Sequence, residues 1–334
     1  MTIINGIEID DIDYKVNDIK YAIANNDPIE EKLNVIIVLS NPCQYARRYI
    51  LAREFIKRFE EEEENVNLYV VEMIYDNQKF IVTDSKNKKH LQLKTQTPLW
   101  HKENMINLGV KYLLPNNWKA FAWIDADIEF DSNTWATDTL KILNGCKDIL
   151  QIWSHAVDMD YDKSNLSIFN SFGYSFSKQK KYTTDKKNYW HPGFAWAMTR
   201  KAYEKVGGLY DKGILGSGDN MMSLSIINKV ESTMKMDYHE DYKNSIFEYQ
   251  KQAKKLRLGY TPGVIHHHYH GTKANRNYTN RWAILIKHNY SPINHLTYDK
   301  QGILIPSSIF PQEFKEDIYN YFKERKEDDQ YKSK

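Results

Sequence analysis

The chain has 334 residues, 41% hydrophobic and 27% charged, with a formal net charge of +2, a composition suited to a globular protein with a large core. So small a charge gives no global support for a nucleic-acid partner, and two cysteines, Cys43 and Cys146, are too few for a disulfide framework or a thiolate zinc site. No apolar run reaches the roughly 18 residues that span a bilayer, and the acidic opening residues do not resemble a signal peptide, so a cytoplasmic setting is expected.

In chain order, residues 1–33 read as an accessory segment, with Asn5-Gly6 as a candidate hairpin turn. Residues 35–39 (VIIVL) are a β-branched run with no polar break, as in a strand covered on both faces. Ile50, Leu51, Phe55, Ile56 and Phe59 keep helical spacing and predict a helix over 45–59, which the glutamates of 60–64 extend into solvent. A strand at 68–74, a hairpin over 80–93, a helix over 102–114 and a strand over 121–130 follow. This alternation predicts an α/β protein with a mostly parallel sheet flanked by helices. Ligands of such sheets sit beyond the carboxyl ends of the strands.

That rule draws attention to Asp125-Ala126-Asp127. The chain has four Asp-x-Asp matches, but the others (Asp11/Asp13, Asp158/Asp160, Asp160/Asp162) do not end a hydrophobic strand. Two carboxylates at this spacing share one face and suit a divalent ion plus the ribose or phosphates of a nucleotide. Read plainly, the same residues are a turn before a helix that begins after Asp131. A second cluster lies downstream, where His266, His267, His268 and His270 precede Gly271 and the cations Lys273, Arg276 and Arg281. Imidazole suits a borderline divalent ion. Residues 259–265 (GYTPGVI) predict a turn and short strand, whose alternation puts His266, His268 and His270 on one face. If the strand ends near His268, His267 can instead approach His270.

Three blocks in order carry a family resemblance. Residues 100–109 (WHKENMINLG) look like the F-N-R-A-K-L-L-N-V-G of the β-1,4-galactosyltransferases, followed by the strand that ends in Asp-x-Asp. Residues 198–211, with 216–220 (GSGDN), are similar to that family's acceptor-side helix and W-G-G-E-D segment. Residues 267–276 (HHYHGTKANR) match its M-x-x-H-S-R-D-K-K-N. Over roughly residues 34–285 the chain resembles metal-dependent glycosyltransferases of the GT-A fold, the β-1,4-galactosyltransferases and related family 2 enzymes.

The resemblance implies a GT-A catalytic domain over 34–287, a C-terminal helical appendage over 288–334, and transfer of a monosaccharide from a nucleotide-diphosphate sugar, a UDP-sugar by analogy, to an acceptor hydroxyl. The acceptor is a glycan, a protein or a small molecule. Asp127 and His270 would hold Mn2+, or Mg2+ in its place, with His267 where the family has methionine; Asp125 would hold the ribose or a metal-bound water. Lys102 stands for the family's arginine, and Lys273 and Arg276 add positive charge for the diphosphate. Asp219 is the candidate base, and Asn220 stands where the family has its second acid, which leaves an inverting reaction only slightly favoured over a retaining one. The plain alternative makes 216–219 a loop and cap for a helix over 220–230.

Ser40, Asn41 and Glu72 lie at expected strand ends where the nucleoside should sit. Trp190, His191, Phe194 and Trp196 form either a sugar-stacking platform or core, and the polar stretch 175–188 is a donor-ordered lid or a surface loop. A metal-dependent hydrolase is the first alternative, although neither His-x-His nor His-Glu-x-x-His occurs elsewhere in the chain. A non-catalytic sugar-binding protein on a degenerate transferase fold is the second.

Overall fold

The structure, a computed structural model, describes residues 29–144, 146–179, 181–183, 189–272, 274–276 and 281–329, with two short strands near the start. Those strands, β1 (Ile3–Ile4) and β2 (Ile7–Glu8), pair antiparallel with Ile4 opposite Ile7; the Asn5-Gly6 turn expected between them lies outside the described residues. Among the described residues, no helix is long and apolar enough to cross a membrane.

The predicted central strands form because their side chains are apolar on both faces. β3 (Leu33–Ser40) lies beside β4 (Val66–Tyr75), which lies beside β5 (His90–Thr95), and β3 also borders β6 (Ala120–Ile124), all parallel. Val35 and Ile37 face one apolar layer with helices Ala46–Glu62 and Trp135–Leu143, while Ile36 faces the other with helix Lys102–Tyr112. Beyond β6 come β8 (Ile149–Gln151), β11 (Ala195–Thr199) and β12 (Leu258–Tyr260), giving the order β12-β8-β11-β6-β3-β4-β5. Only β11 runs against its neighbours, so the sheet is mixed, mostly parallel and flanked by helices, as expected.

A second sheet is assembled from β7 (Ile128–Phe130), β9 (His155–Met159), β10 (Asn165–Asn170) and β13 (Val264–His267), in the order β10-β9-β13-β7. The strand expected over 121–130 is therefore two strands in two sheets: the ladder of β6 with β11 ends where the Asp125 N–H donates to the Phe194 carbonyl at 2.8 Å, and β7 pairs with β13 instead. The hairpin expected over 80–93 is absent. The buried Glu72 carboxylate accepts from the N–H groups of Ile81, Val82 and Thr83 and from the Thr83 hydroxyl, at 2.6–3.1 Å, which curls that segment around it. Only β5 forms there, parallel to β4. The helix expected over 220–230 spans Gly218–Ile226. A small hairpin of β14 (Leu296–Tyr298) and β15 (Leu304–Pro306) precedes the C-terminal helix Gln312–Glu324.

Candidate functional site

Asp127 sits where the chain leaves the central sheet for the second one. There β13 lies between β9 and β7, and its register places His267 opposite Asp158 on one side and opposite Ile128 on the other. The strand stops at His267, and the His268 N–H donates to the Asp127 carbonyl at 2.8 Å. The face alternation that would have kept His267 and His270 apart thus fails, and the chain turns back through Gly271 at φ +89°. A Cβ on Gly271 would stand 3.0 Å from the Glu327 Cα, so glycine permits both the turn and the close approach of the C-terminal segment.

The result is a triad. His270 Nε2 lies 2.7 Å and His267 Nε2 lies 3.8 Å from Asp127 Oδ2, and the ligand atoms of all three fall within 4.8 Å of one another. Asp127 Oδ1 is buried without a hydrogen-bond partner among the described residues. An orphaned buried carboxylate oxygen beside two imidazole nitrogens fits a divalent cation better than it fits a hydrogen-bonded core. Burial alone would raise the Asp127 pKa, but His270, then His267 and Arg276, outweigh it and hold the carboxyl well below its usual range.

Each histidine has its own buried acid. Asp158, 3% exposed, accepts from His267 Nδ1 at 2.7 Å, which leaves the Nε2 lone pair facing Asp127. Burial holds His267 below its ordinary pKa, favouring the neutral imidazole that a metal requires. Glu327, 1% exposed, stands 3.6 Å from His270 Nδ1 and pairs with Arg48 and Arg325. Arg276 Nη2 lies 2.8 Å from His270 Nε2.

Next to the triad, Lys102 Nζ bridges Asp125 Oδ1 at 2.6 Å and Asp219 Oδ2 at 3.0 Å. Burial opposes its charge, but Asp125, then Asp219 and Glu103, raise its pKa. Burial, with the neighbouring Asp127 and Asp219 charges, pushes Asp125 up to about 6 against the pull of Lys102. Asp219 opens helix Gly218–Ile226 behind Ser217, a non-glycine residue at φ +68°. Gly218 packs on the buried Glu103 carboxylate, and a Cβ there would collide with it. Phe194, at φ +81°, lays its ring between His191 and His267, with centroids 4.4 and 4.6 Å away. Both of these backbone outliers border the cleft.

The cleft holds about 890 Å³ and collects Asp125, Asp127, Asp219, His267, His270 and Lys102. Arg276, Ser40 and His191 also line it, whereas Lys273 lies outside the described residues. Four expected site residues are placed elsewhere. Glu72 is spent on the 81–83 loop, and Asn41 closes the turn before helix Ala46–Glu62 by exchanging hydrogen bonds with the Tyr45 backbone at 2.9 Å. Trp190 and Trp196 are core, the latter fully buried and stacked on Trp123. Tyr189, Phe169 and Phe194 supply the aromatic lining beside His191. Sequence reasoning missed Asp158, Arg48, Arg325 and Glu327. The expected appendage over 288–334 delivers two of these to the site.

No family model and no curated protein matches the chain. Its fold is similar to that of several solved structures. A proposed nucleotide-diphospho-sugar transferase from Desulfovibrio desulfuricans has 9% identity and a TM-score of 0.32, with 78% of this chain and 99% of that one covered. The mannosyltransferase PcManGT from Pyrobaculum calidifontis, in complex with GDP-Man and Mn2+, has 12% identity and a TM-score of 0.41, with 89% and 71% covered. The 4-diphosphocytidyl-2C-methyl-D-erythritol synthase of Anaerococcus prevotii has 11% identity and a TM-score of 0.32, with 72% and 89% covered. These are distant likenesses.

Proposed function

We propose that the cleft is the active site of a metal-dependent glycosyltransferase that moves a monosaccharide from a nucleotide-diphosphate sugar, a UDP-sugar by the sequence resemblance, to an acceptor hydroxyl. The observation that carries this reading is the Asp127, His267 and His270 triad lying beside the Lys102-bridged pair Asp125 and Asp219 in one cleft. The three ligands would hold Mn2+, or Mg2+ in its place, and the ion would neutralise charge developing on the leaving diphosphate. Asp125 orients the donor ribose or a water of the ion. Arg276 adds fixed positive charge for the phosphates. Asp219 takes the proton from the acceptor hydroxyl as it attacks, which is the role of a carboxylate base in an inverting reaction. Lys102, 3.0 Å from Asp219 Oδ2, holds that carboxylate in position until the acceptor arrives.

The triad alone also fits a metal-dependent hydrolase. The second acid, Asp219, held beside the triad in the same cleft, favours transfer. Turnover of a panel of nucleotide sugars with Mn2+, with and without candidate acceptors, tests the reading. Asp219→Asn is expected to spare donor binding and slow turnover by at least about a hundredfold. A near-normal rate would place the base elsewhere, and donor loss that never yields a glycosylated acceptor would favour the hydrolase.

A further inference from the structure

Two arginines that the transfer reading does not use, Arg281 and Arg325, line the cleft although each is only 4% exposed. They come from separate elements, Arg281 leading into helix Trp282–Lys287 and Arg325 ending helix Gln312–Glu324. Both donate to one acceptor, the Tyr321 hydroxyl, Arg281 Nη1 at 3.1 Å and Arg325 Nη1 at 3.3 Å. Arg281 Nη2 also donates to Ser217 Oγ, two residues before Asp219. Arg325 Nε donates to Glu327 at 2.6 Å, and the same carboxylate serves Arg48 and stands near His270. Trp100 lies under the Arg325 guanidinium, 5.1 Å from its Cζ, and parallel to Phe322. By connectivity the arginine pair therefore joins the metal triad, through Glu327 and His270, to Asp219, through Ser217.

Two guanidiniums that meet at one neutral hydroxyl in a poorly hydrated wall repel each other even with Glu327 paired to Arg325, and an anion shared between them relieves that repulsion. Their field already registers on the phenol between them. Burial would raise the Tyr321 pKa, but Arg281 and Arg325 outweigh it and hold it below its ordinary value. Planar guanidinium forks match the oxygens of a phosphate bidentately.

We propose that Arg281 and Arg325, joined through the Tyr321 hydroxyl, form an oxyanion site that takes a phosphate group without a metal ion. The site deepens the transferase reading and rests on it for the source of the phosphate, which is either the donor's diphosphate or an anionic group on the acceptor. Inorganic phosphate titrated calorimetrically into the full-length protein with a chelator present tests it. Saturable binding is expected, weakened at least about tenfold in Arg281→Lys, which keeps the charge and loses the fork. Tyr321→Phe keeps the ring and removes the shared acceptor, so it should also weaken binding, and thermal melts establish that each variant is folded. Absent binding by the wild type, equal binding in both folded variants, or binding seen only when Mn2+ replaces the chelator would overturn the proposal. Repeating the titration with saturating UDP and Mn2+ separates the sources. Displacement of phosphate assigns the site to the donor, and joint binding assigns it to the acceptor. Failure of the transferase reading looks different, since phosphate would still bind while no nucleotide sugar bound or turned over.

Discussion

Replacing Asp158 by Asn changes one side-chain atom and removes one charge, yet it should reach the metal. The Asp158 carboxylate can only accept, so it fixes the His267 proton on Nδ1 at 2.7 Å and turns the Nε2 lone pair toward Asp127. An asparagine can present its NH2 instead, in which case Nδ1 accepts, the proton moves to Nε2 and His267 ceases to be a ligand. If the amide oxygen faces the ring, the tautomer survives but the charge that makes the imidazole a better donor is gone. A charge-assisted hydrogen bond is worth about 1.5–3 kcal/mol. Both partners are nearly buried, at 5% and 3% exposed, so solvent screens little of it, and the loss converts to roughly 10- to 150-fold in affinity. That range agrees with the loss of about 10- to 100-fold usual for such supporting groups. Calorimetric titration of Mn2+ into the chelator-stripped variant reads the change directly. An unchanged Kd in a folded Asp158→Asn protein would refute the claim that His267 is a ligand held by Asp158.

Other perturbations separate fold from site. His101 is fully buried, its Nε2 donating to the Leu304 carbonyl at 2.8 Å and its Nδ1 accepting from the Tyr75 hydroxyl at 3.2 Å. Burial lowers its pKa from 6.5 to about 4, so the unfolded chain binds the extra proton first. The stability this contributes is present above about pH 6.5 and is lost as pH falls toward 4, by up to about 3 kcal/mol. Urea midpoints at pH 7 and pH 5 should therefore differ more in the wild type than in His101→Gln, and equal slopes would remove His101 as the cause. Trp196→Ala should cost about 3–5 kcal/mol, read as a lower denaturant midpoint, because the ring is fully buried against Trp123. A loss below about 1 kcal/mol, together with weaker sugar binding, would return Trp196 to the cleft.

Local pattern was enough for the parts of the fold that local pattern controls. The unbroken VIIVL run and the 3.6-residue spacing after Tyr45 name β3 and helix Ala46–Glu62 because burial on two faces and on one stripe write different periods. The meeting of Asp127, His267 and His270 was legible because a carboxylate at the end of an apolar strand and a histidine cluster are each unusual. The break between β6 and β7 was not, since it depends on β7 leaving β11 to pair with β13, a strand far downstream in the chain. Glu72 misled for a related reason: a strand-end carboxylate looks like a ligand until the N–H groups of 81–83 are seen to occupy it. Asp158 stood in an Asp-x-Asp set aside because it ends no long apolar strand, and only the β9–β13 register brings it to His267. Glu327 and Arg325 carry no local signal at all. They reach the site because Tyr45, Arg48 and Gly271 let the C-terminal segment lie against the histidine loop.

The central claim, a metal-dependent nucleotide-sugar site at Asp127, is met most directly by calorimetric titration of nucleotide-diphosphate sugars into the wild type and Asp127→Ala, each with Mn2+ and with a chelator. At least one donor should bind the wild type only with Mn2+ and fail to bind a folded Asp127→Ala protein. Donor binding of equal strength with and without the ion, or unchanged by the substitution, would contradict it.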